Sequence, residues 1–317
     1  MKHRILPRLL SVGLLWWSSL APAQQPDLAA TMAGVAKYES GQSIKPLRQI
    51  EELVRQSKTK PSIRRDLEAG LSDLIAGQST YEARTFACQQ LAIVGSEKSL
   101  PVIAGLLKHT ETVGIGCLAL GAHPSPKASD VLREALASAQ GLARVQIITT
   151  LGDRQDDKAV SQLTDLVRDS NAAVADAAIA ALGKIGNEPA GKVITALRSD
   201  RNHVIAGMAV EASLRVAEKL AAVGDRKAAV AIYQEMLHSS QSNLVRRSAL
   251  TAVLPLDSDG GEQRIFDVLH GPDALLKPIA IAGIRTLRSR DASEKFAQEL
   301  PKLKLDEQVW MIKSLAV

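Results

Sequence analysis

The stretch KAVSQLTDLVRDSNAAVADAAIAALGKIG, Lys158 to Gly186, decides the fold. Ala159, Leu163, Leu166 and Val167 recur at helical spacing and give its first half one apolar stripe. Asp169-Ser170-Asn171 reads as a turn and cap, because short polar side chains accept hydrogen bonds from the free N–H groups that open a helix. Val174, Ala178, Ile179, Leu182 and Ile185 then stripe a second helix, which Gly183 and Gly186 close. A helix pair of this kind buries its apolar faces by stacking on others like it, so the rest of the chain should repeat.

It does. With Leu182 as anchor, matching positions fall at Leu91, Leu120, Ile148, Ser213, Val253, Ile284 and Ile312, at intervals of 29, 28, 34, 31, 40, 31 and 28 residues. Three residues earlier, on the same helical face, stand Cys88, Cys117, Val145, Ile179, Val210, Leu250, Ile281 and Val309, all apolar. Three residues later stand Val94, His123, Leu151, Ile185, Val216, Leu256, Leu287 and Leu315, and the exception, His123, directly precedes Pro124. Four before the anchor, Ala87, Gly116, Ala178, Ala209, Ala249 and Ala280 are small, as close helix approach requires; Arg144 and Gln308 break this column.

The unit, with its Ala-Leu-Gly-Lys-Ile-Gly ending at 181 to 186, resembles the HEAT-repeat family, in particular the bacterial subtype labelled phycobilisome-lyase-like. That pattern places an Arg after the Val early in the second helix; Arg246 matches it and Arg84 lies in register, whereas Ala175 and Ala206 depart from it. The series from 62 to 317, with YESGQSIKPLRQIEELV at 38 to 54 and FACQQLAIVG at 86 to 95, is similar to secreted HEAT-repeat proteins of planctomycete and verrucomicrobial bacteria. The resemblance implies a scaffold. In that group the repeats often form one arm of a larger exported protein with a c-type haem or a sugar-binding or sugar-hydrolysing module, and a minority of the wider family assists bilin attachment.

Composition agrees with stacked helices. The 317 residues are 46% hydrophobic but 3% aromatic, with 39 Lys plus Arg against 34 Asp plus Glu and two cysteines. These values exclude collagen-like, disulfide-scaffold and wholly disordered chains. A core of Ala, Leu, Ile and Val favours closely packed helices over an aromatic, β-branched sheet.

Residues 1–23 read as a signal peptide. Lys2, Arg4 and Arg8 precede the apolar stretch Leu9 to Leu20, and Ala21-Pro22-Ala23 offers a cleavage site before Gln24. The apolar run is shorter than the roughly 20 residues that span a bilayer, so the mature chain is expected not to be membrane-spanning. No Cys follows the cut to accept a lipid. Cleavage lowers the formal charge from +5 to +2, which removes the main support for nucleic-acid binding.

Residues 24–43, polar and small-rich with little periodicity, read as an N-terminal flexible segment: a flexible start followed by a helix of modest stability. Residues 44–60 read as a capping helix that lays Leu47, Ile50, Leu53 and Val54 on the first repeat, and 61–317 as the solenoid. Within it, AEKLAAVGDRKAAVAIYQEML, Ala217 to Leu237, looks like a tetratricopeptide hairpin spanning 210–237. The last apolar helix, ending Leu315-Ala316-Val317, carries no cap of its own, so a partner or further chain is expected to cover it.

Candidate chemistry is sparse. Cys88 and Cys117 share a column of adjacent repeats, on helices about 8–10 Å apart, whereas a disulfide needs Cα atoms within about 7 Å; two buried free thiols are expected. His3, His109, His123, His203, His238 and His270 form no metal-binding spacing, and His203 and His238 read as loop or cap residues. No Cys-x-x-Cys-His or Gly-rich phosphate loop occurs. Asp257-Ser-Asp-Gly-Gly opens like a calcium loop, but Val268 stands where the closing Glu belongs. Glu51-Glu52, Asp156-Asp157 and Asp259 read as capping and solvating acids. Arg64-Arg65, Arg246-Arg247 and Arg285-x-x-Arg288 could line a groove, and are expected instead to pair with acids of neighbouring repeats.

The expectation is an all-α, right-handed α-solenoid of about eight HEAT-type pairs, an armadillo-like superhelix with a tetratricopeptide-like insertion. It is expected to be an exported, noncatalytic scaffold in the periplasm or outside the cell, with no cofactor or metal and a protein partner of unknown identity. The alternative is the N-terminal arm of a larger exported enzyme or haem protein whose active module lies beyond residue 317. A bilin lyase follows from the family label alone.

Overall fold

The computed structural model describes residues 27–257, 259–287 and 290–316; the expected signal peptide and Arg288 lie outside them. Among the described residues there are eighteen α-helices, three short 3-10 turns and no strand. After α1 (Leu28–Ala36) and α2 (Lys45–Ser57) come eight antiparallel pairs. The first four are α3 (Pro61–Ala76) with α4 (Tyr81–Val94), α5 (Leu100–Leu106) with α6 (Val113–Gly121), α7 (Ala128–Ser138) with α8 (Gly141–Asp153), and α9 (Val160–Leu166) with α10 (Ala172–Ile185). Then follow α11 (Glu188–Leu197) with α12 (His203–Ala222), α13 (Arg226–Met236) with α14 (Asn243–Val253), α15 (Gly261–His270) with α16 (Lys277–Gly283), and α17 (Arg290–Glu299) with α18 (Leu305–Leu315). The second helices pack in series from α4 to α18. The chain is an α-solenoid.

Side-chain caps set where helices begin. Asn171 Oδ1 accepts from the Ala173 N–H at 3.0 Å, Asn202 Oδ1 from Val204 at 3.0 Å and Ser242 Oγ from Val245 at 3.3 Å. Each satisfies an N–H that the helix leaves free, worth about 1 kcal/mol. Gly186, at φ +60°, closes α10 in the left-handed conformation, where a side chain would be strained.

The columns locate the core, with two corrections of register. Leu91, Leu120, Leu182, Val253 and Ile284 are buried, as are Cys88, Cys117, Ile179, Leu250 and Ile281 three residues earlier. In the third unit the equivalent of Leu182 is Leu151 rather than Ile148. Gly121, Gly152 and Gly183, each one residue past an anchor, face Thr150, Ala181 and Ala212, each one residue before the next. The interval becomes 31 residues on both sides of Leu151, and Arg144 moves into the register of Arg84 and Arg246. Ile147 and Ile148 are both fully buried, so apolar matching alone could not choose between the two alignments. In the last unit Glu307, Met311 and Ser314 are buried, whereas Val309 and Ile312 are exposed, so the anchor is Met311. An apolar stripe there points outward, which the expectation of a buried stripe inverted.

Two further segments take shape in the structure. Within 24–43, Leu28–Ala36 is a helix, capped by Asp27 and burying Met32 and Val35. Gly70 on α3 admits Met32, whose Cε lies 3.0 Å from where a Cβ would stand, so close packing orders a weakly periodic segment. At 210–237 the hairpin is made by the end of α12 and by α13, which turn at Gly224 with φ +92°. It lengthens α12 to 20 residues and adds no extra helix pair. The core divides there: one cluster runs from Met32 to Val216 and a second from Ala217 to Met311.

Candidate functional site

The most enzyme-like arrangement is buried between the first units. The loop after α4 places Ser99, and the loop after α6 places His123, whose Nε2 lies 3.3 Å from Ser99 Oγ. Glu68 on α3 accepts from the Ser96 N–H at 2.6 Å, from Ser96 Oγ at 2.8 Å and from the Ser99 N–H at 3.2 Å. Ser99 is thus an oriented partner for His123 that no motif in the sequence announces. No linear motif joins residues 24 positions apart on two loops, so only the stacking of units brings them together.

The hydrogen bonds exclude a serine nucleophile. The Ser125 N–H donates to His123 Nδ1 at 3.2 Å, so Nδ1 holds a lone pair and the neutral ring carries its proton on Nε2. That N–H donates to Ser99 Oγ, which in turn donates to the Ser96 carbonyl at 2.9 Å. A general base needs a free lone pair facing the hydroxyl, and here the polarity is reversed. Ser99 is fully buried and His123 is 3% exposed, which leaves no path for substrate. Burial, helped by the Arg154 guanidinium, keeps the imidazole below the usual histidine pKa and hence neutral.

The cluster is a latch between units. Arg64 donates to the Val94 and Gly95 carbonyls at 2.8 and 3.2 Å, satisfying the end of α4. Arg154 does the same for α6, donating to the Leu120 carbonyl at 2.6 Å and the His123 carbonyl at 3.2 Å. Gly95 leaves room for the ring: a Cβ there would lie 2.3 Å from His123 Nε2. Burial opposes ionisation of Glu68, but the hydrogen bonds from Ser96 and Ser99 outweigh it and hold the carboxyl below its usual range.

The other candidates have structural partners. Arg246 pairs with Asp273 of the next unit, and Arg144, which the small-residue column had marked as a break, pairs with Asp169 at 3.1 Å. Arg64 meets carbonyls rather than an acid. Arg65, Arg247 and Arg285 are exposed. Asp257 accepts from the Gly260 N–H at 2.9 Å and pairs with Arg264 at 2.5 Å, which uses both of its oxygens. Cys88 and Cys117 are free and buried; burial pushes the Cys88 thiol up to about 12. His203 opens α12 behind its Asn202 cap, and His238 bonds Ser240 in the loop after α13.

On the surface, the early second helices carry long uncharged stretches. No Asp, Glu, Lys, Arg or His stands in 85–93 of α4, 113–121 of α6 or 145–152 of α8. Ile93 and Leu118 are 53% and 47% exposed. Between α6 and α8 lies a groove of about 530 Å³, bordered by Gly114, Leu118, Gly121, Val145 and Thr149 and by Asp153, the last residue of α8. Further along, Asp176 and Lys184 on α10 and Glu211 and Arg215 on α12 restore charge.

These features define a helical-repeat protein with an open second-helix surface. Residues 130–214, from α7 into α12, match the family model for HEAT repeats. No curated protein matches the chain. Among solved structures, an engineered protein is similar at 16% identity, covering 92% of this chain and 88% of its own, with a TM-score of 0.38. The complex of CpcE and CpcF of phycocyanin lyase from Nostoc is similar at 15% identity over 81% and 97%, with a TM-score of 0.37. Human deoxyhypusine hydroxylase follows at 12% identity over 83% and 96%, with a TM-score of 0.31.

Proposed function

We propose that this protein is an exported, noncatalytic scaffold that holds a protein partner against the exposed side of its second helices. The uncharged surface across α4, α6 and α8 carries the reading. In a chain that is 23% charged, 85–93 of α4, 113–121 of α6 and 145–152 of α8 carry no charged residue, and Ile93 and Leu118 stand exposed among them. Exposed apolar side chains gathered on one face favour protein contact over solvation. The HEAT-repeat match supports an interaction role, and the residue pattern of 1–23 supports export. No helix among the described residues is long and apolar enough to cross a membrane.

The experiment is affinity capture from a cell-envelope extract with the mature chain and with Leu118→Glu. A protein retained by the former and lost from the latter supports the surface. Equal retention by both excludes it.

The second reading, an arm of a larger exported enzyme or haem protein, is favoured by α18. Leu305, Val309 and Ile312 fall on one helical side and are exposed, Leu305 by 78%. Packing of a further helix there would bury them.

A further inference from the structure

We infer that α12 is the joint of the solenoid, about which the units before it and the units after it move as two bodies. The two core clusters meet inside this one helix: Val216 belongs to the first and Ala217 to the second. Among the described residues, only Leu220 and Ile232, both partly buried, pack against both. Everywhere else in the first cluster the anchor is a buried Leu that bonds one unit to the next through apolar contact. In α12 the anchor is Ser213, a smaller polar side chain whose Oγ donates to the Ala209 carbonyl of its own helix at 2.8 Å.

Geometry concentrates the weakness at the same place. The 40-residue interval between Ser213 and Val253 is the longest in the array, and α12 continues for nine residues beyond its anchor. That extension is shared: Val216 and Leu220 pack with the first cluster and Lys219 donates to Gln155 Oε1, while Ala217 joins Ala229, Tyr233 and Met236 of α13 in the second. In a repeat array stability is a sum of unit and interface contributions, so relative motion concentrates at the interface with the least shared apolar contact. Continuous apolar columns keep the first body stiff, and α12 serves as an axle belonging to both. Such a joint lets one scaffold change its curvature around a partner without unfolding a unit.

Spin-label distance distributions test this on the mature chain. The pair Gln89→Cys with Asp176→Cys spans α4 to α10, and the pair Asp176→Cys with Ala282→Cys spans α10 to α16, three steps of the second-helix series in each case. All three sites are exposed, and Cys88 and Cys117 are buried away from the label. The expected result is a broader distribution for the pair that crosses α12, broadened again by Leu220→Ala, with the first pair unchanged. Equal widths for the two pairs in the otherwise unmodified chain would overturn the joint, whether or not Leu220→Ala folds.

Discussion

Gly152 lies directly beneath Ala181: a Cβ on the glycine would stand 2.8 Å from both the Cα and the Cβ of the alanine. One unit later Gly183 meets Ala212 in the same way, its Cβ position 3.1 Å from the Ala212 Cβ. Backbone, not a flexible side chain, fills the space, so the spacing between second helices is set by the absence of a side chain. Gly152→Ala should therefore destabilise the protein by about 1–3 kcal/mol, against the usual gain of Ala in a helix. Gly105→Ala on α5, where nothing lies within 4 Å, should be neutral or stabilising. Urea unfolding of the pair measures the contrast, and equal effects would mean that the helices are not in this register.

The corrected register of the last unit makes opposite forecasts for adjacent residues. Met311 is fully buried and Ile312 is 54% exposed. Met311→Ala should cost about 2–5 kcal/mol, as should Ile179→Ala in the fourth pair. Ile312→Ala should stay within about 0.5 kcal/mol. A larger loss at Ile312 than at Met311 would restore the stripe read from sequence.

The His123 latch predicts a dependence on pH. Burial, with Arg154 close by, depresses the folded-state pKa below the ordinary 6.5, so the unfolded chain takes up a proton first as pH falls. Stability from this site is complete above about 6.5 and declines on acidification through that value towards the folded one. Glu68, held below 4.5 by Ser96 and Ser99, adds a separate loss at lower pH as it protonates. The urea midpoint should drop more for the native chain than for His123→Gln between about pH 7.5 and 5.5. Equal drops would show that the ring is charged or exposed.

Thiol titration separates the cysteines from a disulfide. Both should resist a thiol reagent in the folded chain, since Cys88 is raised to about 12 and Cys117 is raised by burial as well. Both should react in denaturant. Finding no free thiol there would place the two sulfurs in a bridge and break the shared column.

Helix pairing, most of the core columns and the cap at Asn171 were legible in sequence because each depends on residues within a few turns of one another. The register at Ile148 was not, since Ile147, Ile148 and Leu151 are all buried and a shift by one turn preserves the apolar match. The contacts of Gly121 with Thr150 and of Gly152 with Ala181, between units, distinguish the two. The Ser99–His123 contact was invisible for the same reason: it joins loops of successive pairs and has no local period. Ser213 appeared as a polar anchor, but its consequence, the division of the core within α12, depends on how far that helix extends.

The most direct test of an exported scaffold is the N-terminal sequence of the native secreted species. The account predicts that it begins at Gln24. Recovery of the chain only inside the cell, with residues 1–23 retained, would contradict export through a cleaved signal.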